Sequence, residues 1–512
     1  MPEQLPILAA RLRTDLQNAR FDVDAVDALW GQVAAAALHR GTRTPALRAV
    51  GGDEPLSTLA TLFVLNTAVG EVELAAALPE LGIDGAVALG LVEVAADGGI
   101  HPLLDLRPYG FVDSRGVGSW WIASDLGEVV TGRPLREDHV LGVGGASTTL
   151  SGLMLDSPVG SALDLGTGCG IQALHASRHA DRVVATDISA RAIELARLNA
   201  ELNDVHTIEF RRGDLFEPVA GELFDHIVSN PPFVITPRTA GVPSYEYRDG
   251  GMAGDALVEA VIEGCAAHLA AGGVAQLLGN WEYRDGADAL DRVGAWVDAA
   301  AAASASHAGL DAWVIEREVQ DPAAYAETWI RDGGTTRGPA FEALVGAWLD
   351  DFEERRVTAV GFGFVTLRRP AAGAAAVMRR FERLPGALGH NALGLGGHIA
   401  DSMGAATWLA IIDDEALGRT RLTVASDVTE GRHYWPGAED PTVMTLRQGG
   451  GFGRSLDLDT ALAAFVGACD GELSVEAIIG AIAQLLEVDD VALRSDLMPR
   501  VRELVLTGML AR

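Results

Sequence analysis

The 512-residue chain contains no lysine. All 39 of its basic residues are arginine, set against 71 Asp and Glu, for a formal charge of −32. That balance argues against a general affinity for nucleic acid, which needs a basic face, and leaves room only for a local arginine patch. Cysteine is scarce: Cys169, Cys265 and Cys469 lie far apart with no CxxC pair, which excludes an even disulfide framework and fits a reducing cytoplasm. Long apolar runs are missing too. The longest are broken by Gly, Asn or Thr well short of the roughly 18 residues that mark a membrane helix. The opening MPEQLPILAARLRTDLQ lacks a basic segment followed by an apolar core, so no signal peptide is expected. What is present, 48% hydrophobic residues, is ample for real cores, and the length suggests about three domains of roughly 100–200 residues.

Residues 1–115 read mainly as helices, with LSTLATLFVLNTAV and EVELAAALPEL carrying apolar residues at helical spacing. LGLVEVAADGGIHPLL follows as two short strands around a Gly-Gly turn, and helices before such a hairpin suggest a winged-helix-like module, with a small accessory or dimerising domain that reads no DNA as the alternative its few arginines favour. From residue 116 to 370 the pattern changes. SALDLG, RVVATDI, TIEFRRGD, FDHIVSN, GGVAQLLGN, LDAWVIEREV and VTAVGFGFVTLRR read as strands, with helices at 171–180, 189–203, 254–271 and 284–304. This alternation predicts an α/β fold with a parallel, doubly wound sheet. An aromatic-rich helical insertion is expected between the last two strands. Beyond Pro370 the composition shifts, and 371–512 reads as an α+β accessory domain with Gly-rich stretches, ending in a winged-helix-like segment.

The stretch SALDLGTGCG, 161–170, is a strand running into glycines and then a helix. Gly166, Gly168 and Gly170 permit a tight turn and close ligand approach, and the helix start offers N–H donors. Asp187 ends the next strand, where a carboxylate accepts from ribose hydroxyls. A dinucleotide oxidoreductase shares those features. Two others favour a different ligand. Asp164, two places before the first glycine, attracts a cationic sulfonium carrying an amino acid and repels a pyrophosphate. Asp214, ending the third strand in RRGD, suits an adenine amine. The fourth strand, FDHIVSNPPF, then runs onto two prolines, which fix the backbone, lack N–H groups and hold the preceding residue extended. Asn230 and its neighbouring carbonyls thus form either a plain strand-ending turn or a rigid cup of acceptors.

The combined set resembles the class I methyltransferases that use S-adenosylmethionine. LDLGTGCG, ATDIS, GDLFEP and FDHIVSNPPF are most similar to the release-factor glutamine methyltransferases of the HemK type. The phenylalanine form of the N-P-P-[YF] tetrapeptide also occurs in relatives that methylate exocyclic amines of guanine or adenine in RNA. The resemblance spans about 140–370, and the flanking segments are similar to large actinobacterial methyltransferases with the same core. It implies a Rossmann-like, seven-stranded core with S-adenosylmethionine bound by Asp164, Gly166, Thr167, Gly168, Gly170, Asp187, Ile188, Asp214, Leu215 and Asn230. It further implies that Asn230, Pro231, Pro232 and Phe233 carry catalysis: the Asn230 oxygen and Pro231 carbonyl accept the N–H bonds of a planar nitrogen, and Phe233 stacks on the planar group. No metal and no strong general base are required. The expected activity is N-methylation of an amide or exocyclic amine, with a protein or RNA partner. The alternatives are a small-molecule N- or O-methyltransferase and a non-catalytic cofactor-binding scaffold. No membrane partner is expected, and a homodimer through the accessory domains is conceivable.

Other residues carry weaker signals. His175 and His179 lie four apart on the helix after the glycines, and Glu430, His433, His390 and His398 form further pairs, none with a third metal ligand. GLGGH at 394–398 lacks the strand and Lys-Ser/Thr of a phosphate loop. The resemblance implies that Ser147, Thr148 and Thr149 line the cofactor pocket, and a plain loop or cap fits them equally. Asn280 and Trp281 end the fifth strand at a ligand-binding edge, where Trp281 reads as pocket wall or as core. Tyr245, Glu246, Tyr247, Arg248 and Asp249 read as a substrate lip or a surface loop. Arg238 and Arg248 offer the one arginine cluster near the site that suits RNA, with Glu246 and Asp249 set among them.

Overall fold

Short runs of Val, Ile, Leu and Ala, each followed by a helix, are the pattern of strands buried on both faces. In the computed structural model, which describes residues 4–96, 98–127, 135–239, 241–243, 245–246, 248–303 and 309–512, those runs form the parallel strands β5 (Val159–Leu165), β6 (Ala180–Asp187), β7 (Ile208–Arg212), β8 (Phe224–Ser229) and β9 (Leu269–Arg284). Together with β11 (Val357–Arg368) they lie in the order β11-β9-β8-β5-β6-β7. Only β11 runs antiparallel, pairing along β9 from Val357↔Arg284 to Arg368↔Val274. The chain order reverses between β5 and β8, and such a switch point opens a crevice at the carboxyl ends of the strands. The Rossmann-like class expected from the sequence is therefore observed. The sixth of the seven expected strands, LDAWVIEREV, forms β10 (Asp311–Gln320).

The chain divides into two compact units: Met1–Ser151, Asp156–Leu310 and Glu318–Ala374 form the first, and Gly152–Leu155, Asp311–Arg317 and Ala375–Arg512 the second. In the first, helices α1 (Leu5–Asn18) through α6 (Gly82–Ala88) precede the antiparallel pair β1 (Val92–Val94) and β2 (Ile100–Pro102). A ten-residue hairpin that the sequence reading did not anticipate follows, β3 (Leu104–Asp113) against β4 (Gly116–Asp125). The N-terminal helices do not pack alone. Leu12, Leu16, Phe21 and Leu62 share one buried cluster with Trp120 and Ile122 of β4 and with Leu195, Leu198 and Leu202. The last three lie on the helix after β6, α9 (Ala190–Leu202), which follows α7 (Gly145–Leu153) and α8 (Ile171–Ala176) in chain order. Asn199 fastens the join: its amide nitrogen donates to the carbonyls of Ala123 and Cys169, and its oxygen accepts from Ala123 N.

Helices α10 (Ala256–His268) and α11 (Ala289–Ala303) follow β8 and β9. The expected insertion is present as α12 (Pro322–Asp332) and α13 (Pro339–Glu354). Pro322 opens α12, and the Asp321 carboxylate caps it by accepting from Ala323 N and Ala324 N, both at 2.9 Å.

In the second unit β10 pairs in parallel with β12 (Arg379–Arg383). A three-stranded antiparallel sheet follows, β13 (Val428–His433), β14 (Val443–Gln448) and β15 (Ser455–Leu458). Its core gathers Leu446 and Leu458 with Phe465, Ile478, Ile482, Leu497, Val501 and Leu504, the last five from the two amphipathic helices at 475–485 and 490–506. Among the described residues no helix is long and apolar enough to cross a membrane.

Candidate functional site

The glycine turn after β5 is held from both sides. Gly166, Gly168 and Gly170 all take positive φ, at 76°, 54° and 87°. A Cβ placed on Gly168 would meet nothing within 4 Å, so the backbone there faces open space, whereas on Gly170 it would lie 3.0 Å from Ala196 Cβ. The first case leaves room for a ligand against the peptide; the second lets α9 close onto the turn. Asp187 at the end of β6 fixes the turn: its Oδ2 accepts from Gly168 N and its Oδ1 from Ser189 N, both at 2.9 Å. Each oxygen retains a lone pair. Burial raises the Asp187 pKa against the opposing pull of these N–H groups.

These elements border a cavity of about 410 Å³ at the carboxyl ends of β5, β6 and β8, a size that suits a single small ligand. Its lining includes Gly166, Thr167, Gly168, Asp187, Ile188, Asp214, Leu215, Asn230, Pro231 and Pro232. The structure thus brings together most of the residues singled out from the sequence. Three take other places. Asp164 is fully buried and does not line the cavity. Its Oδ2 accepts from Thr167 Oγ1 at 2.6 Å and from Ala173 N at 2.9 Å, so it pins the turn to the start of α8 from behind. Burial lifts its pKa to about 7. Gly170 serves packing. Phe233 does not line the cavity; its ring lies 5.3 Å from Phe362 and 6.3 Å from Trp329.

Asn230, like Gln172, Thr186 and Ser189, lines the cavity with a buried side-chain oxygen left unpaired among the described residues, and it alone of the four sits on the proline turn. Its Oδ1 is buried at the end of β8 and has no hydrogen-bond partner among the described residues. A buried acceptor left open costs about 1–3 kcal/mol, and its persistence at a cavity wall marks it as a group awaiting a donor. The adjoining wall comes from Tyr245, Glu246, Asp249 and Gly250, so the expected lip does border the cavity, while Tyr247 lies outside the described residues. Burial raises the Asp249 pKa even though it accepts from Thr236 Oγ1 and Tyr245 N, both at 2.6 Å.

Residues that sequence reasoning missed complete the wall. Glu137, His139, Val140 and Leu141 line the cavity from the loop before α7, and burial lowers the His139 pKa. No motif flags this loop, and its one signal is its place ahead of the SALDLG strand. Ser147 lines the cavity, and its carbonyl accepts from Gln172 Nε2 at 2.7 Å. Thr148 bonds back to Gly144 O at 3.1 Å. Trp281 is fully buried core. The two histidines do not share a helix: His175, on α8, contacts Tyr109 Oη at 3.1 Å, and His179, in the turn past its end, contacts His226 at 2.9 Å. Burial depresses both, to about 4, and His226 to about 3. In the second unit His398 packs beside Trp313 and Phe452. No group of three or more His, Cys, Asp or Glu is placed to hold a metal among the described residues.

Comparison with known proteins agrees with this geometry. Residues 143–284 match the methyltransferase small domain, and residues 18–102 and 403–512 match two families described only as domains of unknown function, DUF7059 and DUF7782. The chain is 38% identical over 128 residues to a release factor glutamine methyltransferase of Xylella fastidiosa, covering 23% of this chain and 46% of that one. It is 33% identical over 147 residues to a ribosomal protein uL3 glutamine methyltransferase of Bradyrhizobium diazoefficiens, covering 26% and 44%. The chain spans less than half the length of either relative. A solved methyltransferase structure from Pyrococcus furiosus overlaps 42% of this chain and 78% of its own at 17% identity and a TM-score of 0.25. The fold assignment rests on the strand order above.

Proposed function

From the premise that residues 143–284 carry a methyltransferase small domain, we propose that the protein transfers a methyl group from S-adenosylmethionine to a planar amide nitrogen of a protein. The observation that carries the reading is the open Asn230 Oδ1 at the wall of a cavity that also exposes the Gly168 backbone and Asp187. The donor fits what is present. The turn leaves space where a Cβ would stand, Asp187 retains lone pairs for ribose hydroxyls, and the exposed Asp214 lines the cavity where an adenine amine would be met.

S-adenosylmethionine, when bound, supplies an activated methyl group. The protein's part is position. An amide nitrogen is a poor nucleophile because its lone pair is delocalised. Asn230 Oδ1 and the Pro231 carbonyl accept its two N–H bonds, turn the lone pair toward the methyl donor and stabilise the positive charge that develops on nitrogen. The nitrogen becomes acidic as it is alkylated, so no strong base is needed.

Charge favours protein over RNA. Arg238 is the one arginine among the described lining residues, and its guanidinium is engaged with the Gly251 carbonyl. Arg248 is buried against Asp249, Asp332 and Trp329 O. Glu137 and Glu246 are exposed at the same wall, a setting that repels a phosphate backbone. Both curated relatives named above are glutamine methyltransferases by description. Incubating the protein with tritiated S-adenosylmethionine and cell extract, then splitting the products by protease and by nuclease, tests the reading. Label lost to protease supports it. Label lost to nuclease, or confined to small molecules, contradicts it.

A further inference from the structure

The insertion α12–α13 reaches the Asn230–Phe233 segment from behind the cavity wall. Tyr325 on α12 is buried, and its hydroxyl accepts from Ile235 N at 3.1 Å and from the Asn280 side-chain amide at 2.6 Å. One oxygen therefore ties the backbone just past Phe233 to the fifth strand of the sheet. A turn later, Trp329 meets the Phe233 ring edge-on, and its carbonyl accepts from Arg248 Nη1 at 2.7 Å.

Arg248 closes a second loop of contacts. It is only 6% exposed, pairs with Asp249 at 3.2 Å and with Asp332 at 3.4 Å, and its carbonyl accepts from Val234 N at 2.8 Å. Asp249 in turn holds Thr236 and Tyr245. Residues 233–236 and the lip residues Tyr245, Arg248 and Asp249 are thereby bound to each other and to α12. Val234, Ile235, Tyr325, Ile330, Trp348 and Phe352 bury a common apolar cluster beneath them. Among the described residues no hydrogen bond joins this network to the glycine turn or Asp187, which bond to one another and to Thr186, Ser189, Gly213 and Asp164, with α9 packed onto Gly170.

We propose that α12–α13 is the scaffold of the acceptor side of the site, with Tyr325 and Arg248 as positioning residues that set Asn230 and the lip without bearing on the donor side. The proposal rests on the methyl-transfer reading above. Removing the Tyr325 hydroxyl leaves the Ile235 N–H and the Asn280 amide without their buried acceptor, and that stretch of backbone gains freedom. A displacement of about 1 Å at reacting groups costs roughly a hundredfold in rate.

Full-length Tyr325→Phe and Arg248→Lys are compared with the wild type in three measurements. These are calorimetric titration with S-adenosylmethionine, tritium transfer over a concentration series of soluble bacterial protein extract, and amide hydrogen exchange across 230–250. Both variants are expected to bind the donor within about twofold of wild type while transfer falls by roughly tenfold to a hundredfold. The half-saturating extract concentration should rise, and the Ile235 amide should exchange faster. Wild-type transfer in both variants, or donor affinity falling in step with transfer, overturns the proposal. A wild-type protein that binds donor but labels no protein contradicts the functional reading instead. Exchange then decides the positioning roles: unchanged protection at Ile235 in both variants overturns them, and faster exchange with intact donor affinity upholds them. If Tyr325→Phe does not fold, Arg248→Lys decides by the same criteria.

Discussion

Two glycine-rich regions of this chain look alike on the page and do opposite things. In the turn after β5, Gly168 takes a left-handed conformation and leaves empty space where a side chain would stand. In the second unit, the stretches GALGHNALGLGGH and RQGGGFGR use glycine to bring backbone against backbone. A Cβ on Gly396 would lie 2.0 Å from the Met154 carbonyl oxygen, and one on Gly389 would lie 2.2 Å from that of Gly450. Asn391 laces the latter loops together, donating to the carbonyls of Gly389 and Gly451 and accepting from Gly451 N. Glycine makes a ligand site where it opens space and a packed joint where it removes it.

The comparison can be broken by substitution. Gly396→Ala should lower unfolding stability by about 3 kcal/mol in a denaturant titration, because a backbone carbonyl cannot move as a side-chain tip can. A loss under about 1 kcal/mol would mean that the close approach is not needed. Asp187→Ala should weaken donor binding by roughly 1.5–3 kcal/mol, through lost charged acceptors for ribose and a released Gly168. Gly168→Ala should cost about 1–2 kcal/mol of stability, from its left-handed φ alone. Its added methyl occupies ligand space, so calorimetry should show donor affinity falling while the fold persists. Equal stability losses in Gly168→Ala and Gly396→Ala would erase the distinction.

A separate effect concerns pH. The folded-state pKa of Asp164 is raised to about 7, above its unfolded value of about 3.9. The native state therefore holds a proton that the unfolded chain has released, and this group's contribution to stability falls as pH rises between those values. Asp164→Asn should remove up to one proton's worth of that slope, read as the difference between wild-type and variant stability across pH 4 to 7. Parallel curves would show that Asp164 ionises normally.

Much of this was legible in the sequence for identifiable reasons. Strands β5 to β9 announce themselves as short apolar runs bounded by Gly, Asp or Pro, and the insertion by its helical aromatic pattern. Asn230 and the glycines were found because proline and glycine constrain backbone locally, which sequence records directly. The misread elements depend on direction, which it does not record. Phe233 lies outside the cavity lining, where Trp329 of the insertion and Phe362 of β11 offer it an apolar home. Asp164 turns inward because Thr167 and Ala173 offer it donors. The β3–β4 hairpin went unseen because RPYGFV and VGSWWIAS alternate too weakly to stand out. The N-terminal helices read as a separate domain because a shared core with α9 leaves no mark in either segment.

The central claim is a division of labour: the glycine turn and Asp187 hold the donor, and Asn230 holds the acceptor. Calorimetric titration of S-adenosylmethionine into wild type and Asn230→Ala, beside tritium transfer to protein extract, tests it most directly. The account predicts wild-type binding with equal affinity in the variant, and transfer reduced by about a hundredfold or more. Loss of donor binding in Asn230→Ala as deep as that in Asp187→Ala would contradict the assignment, and no donor binding by the folded wild type would contradict the account as a whole.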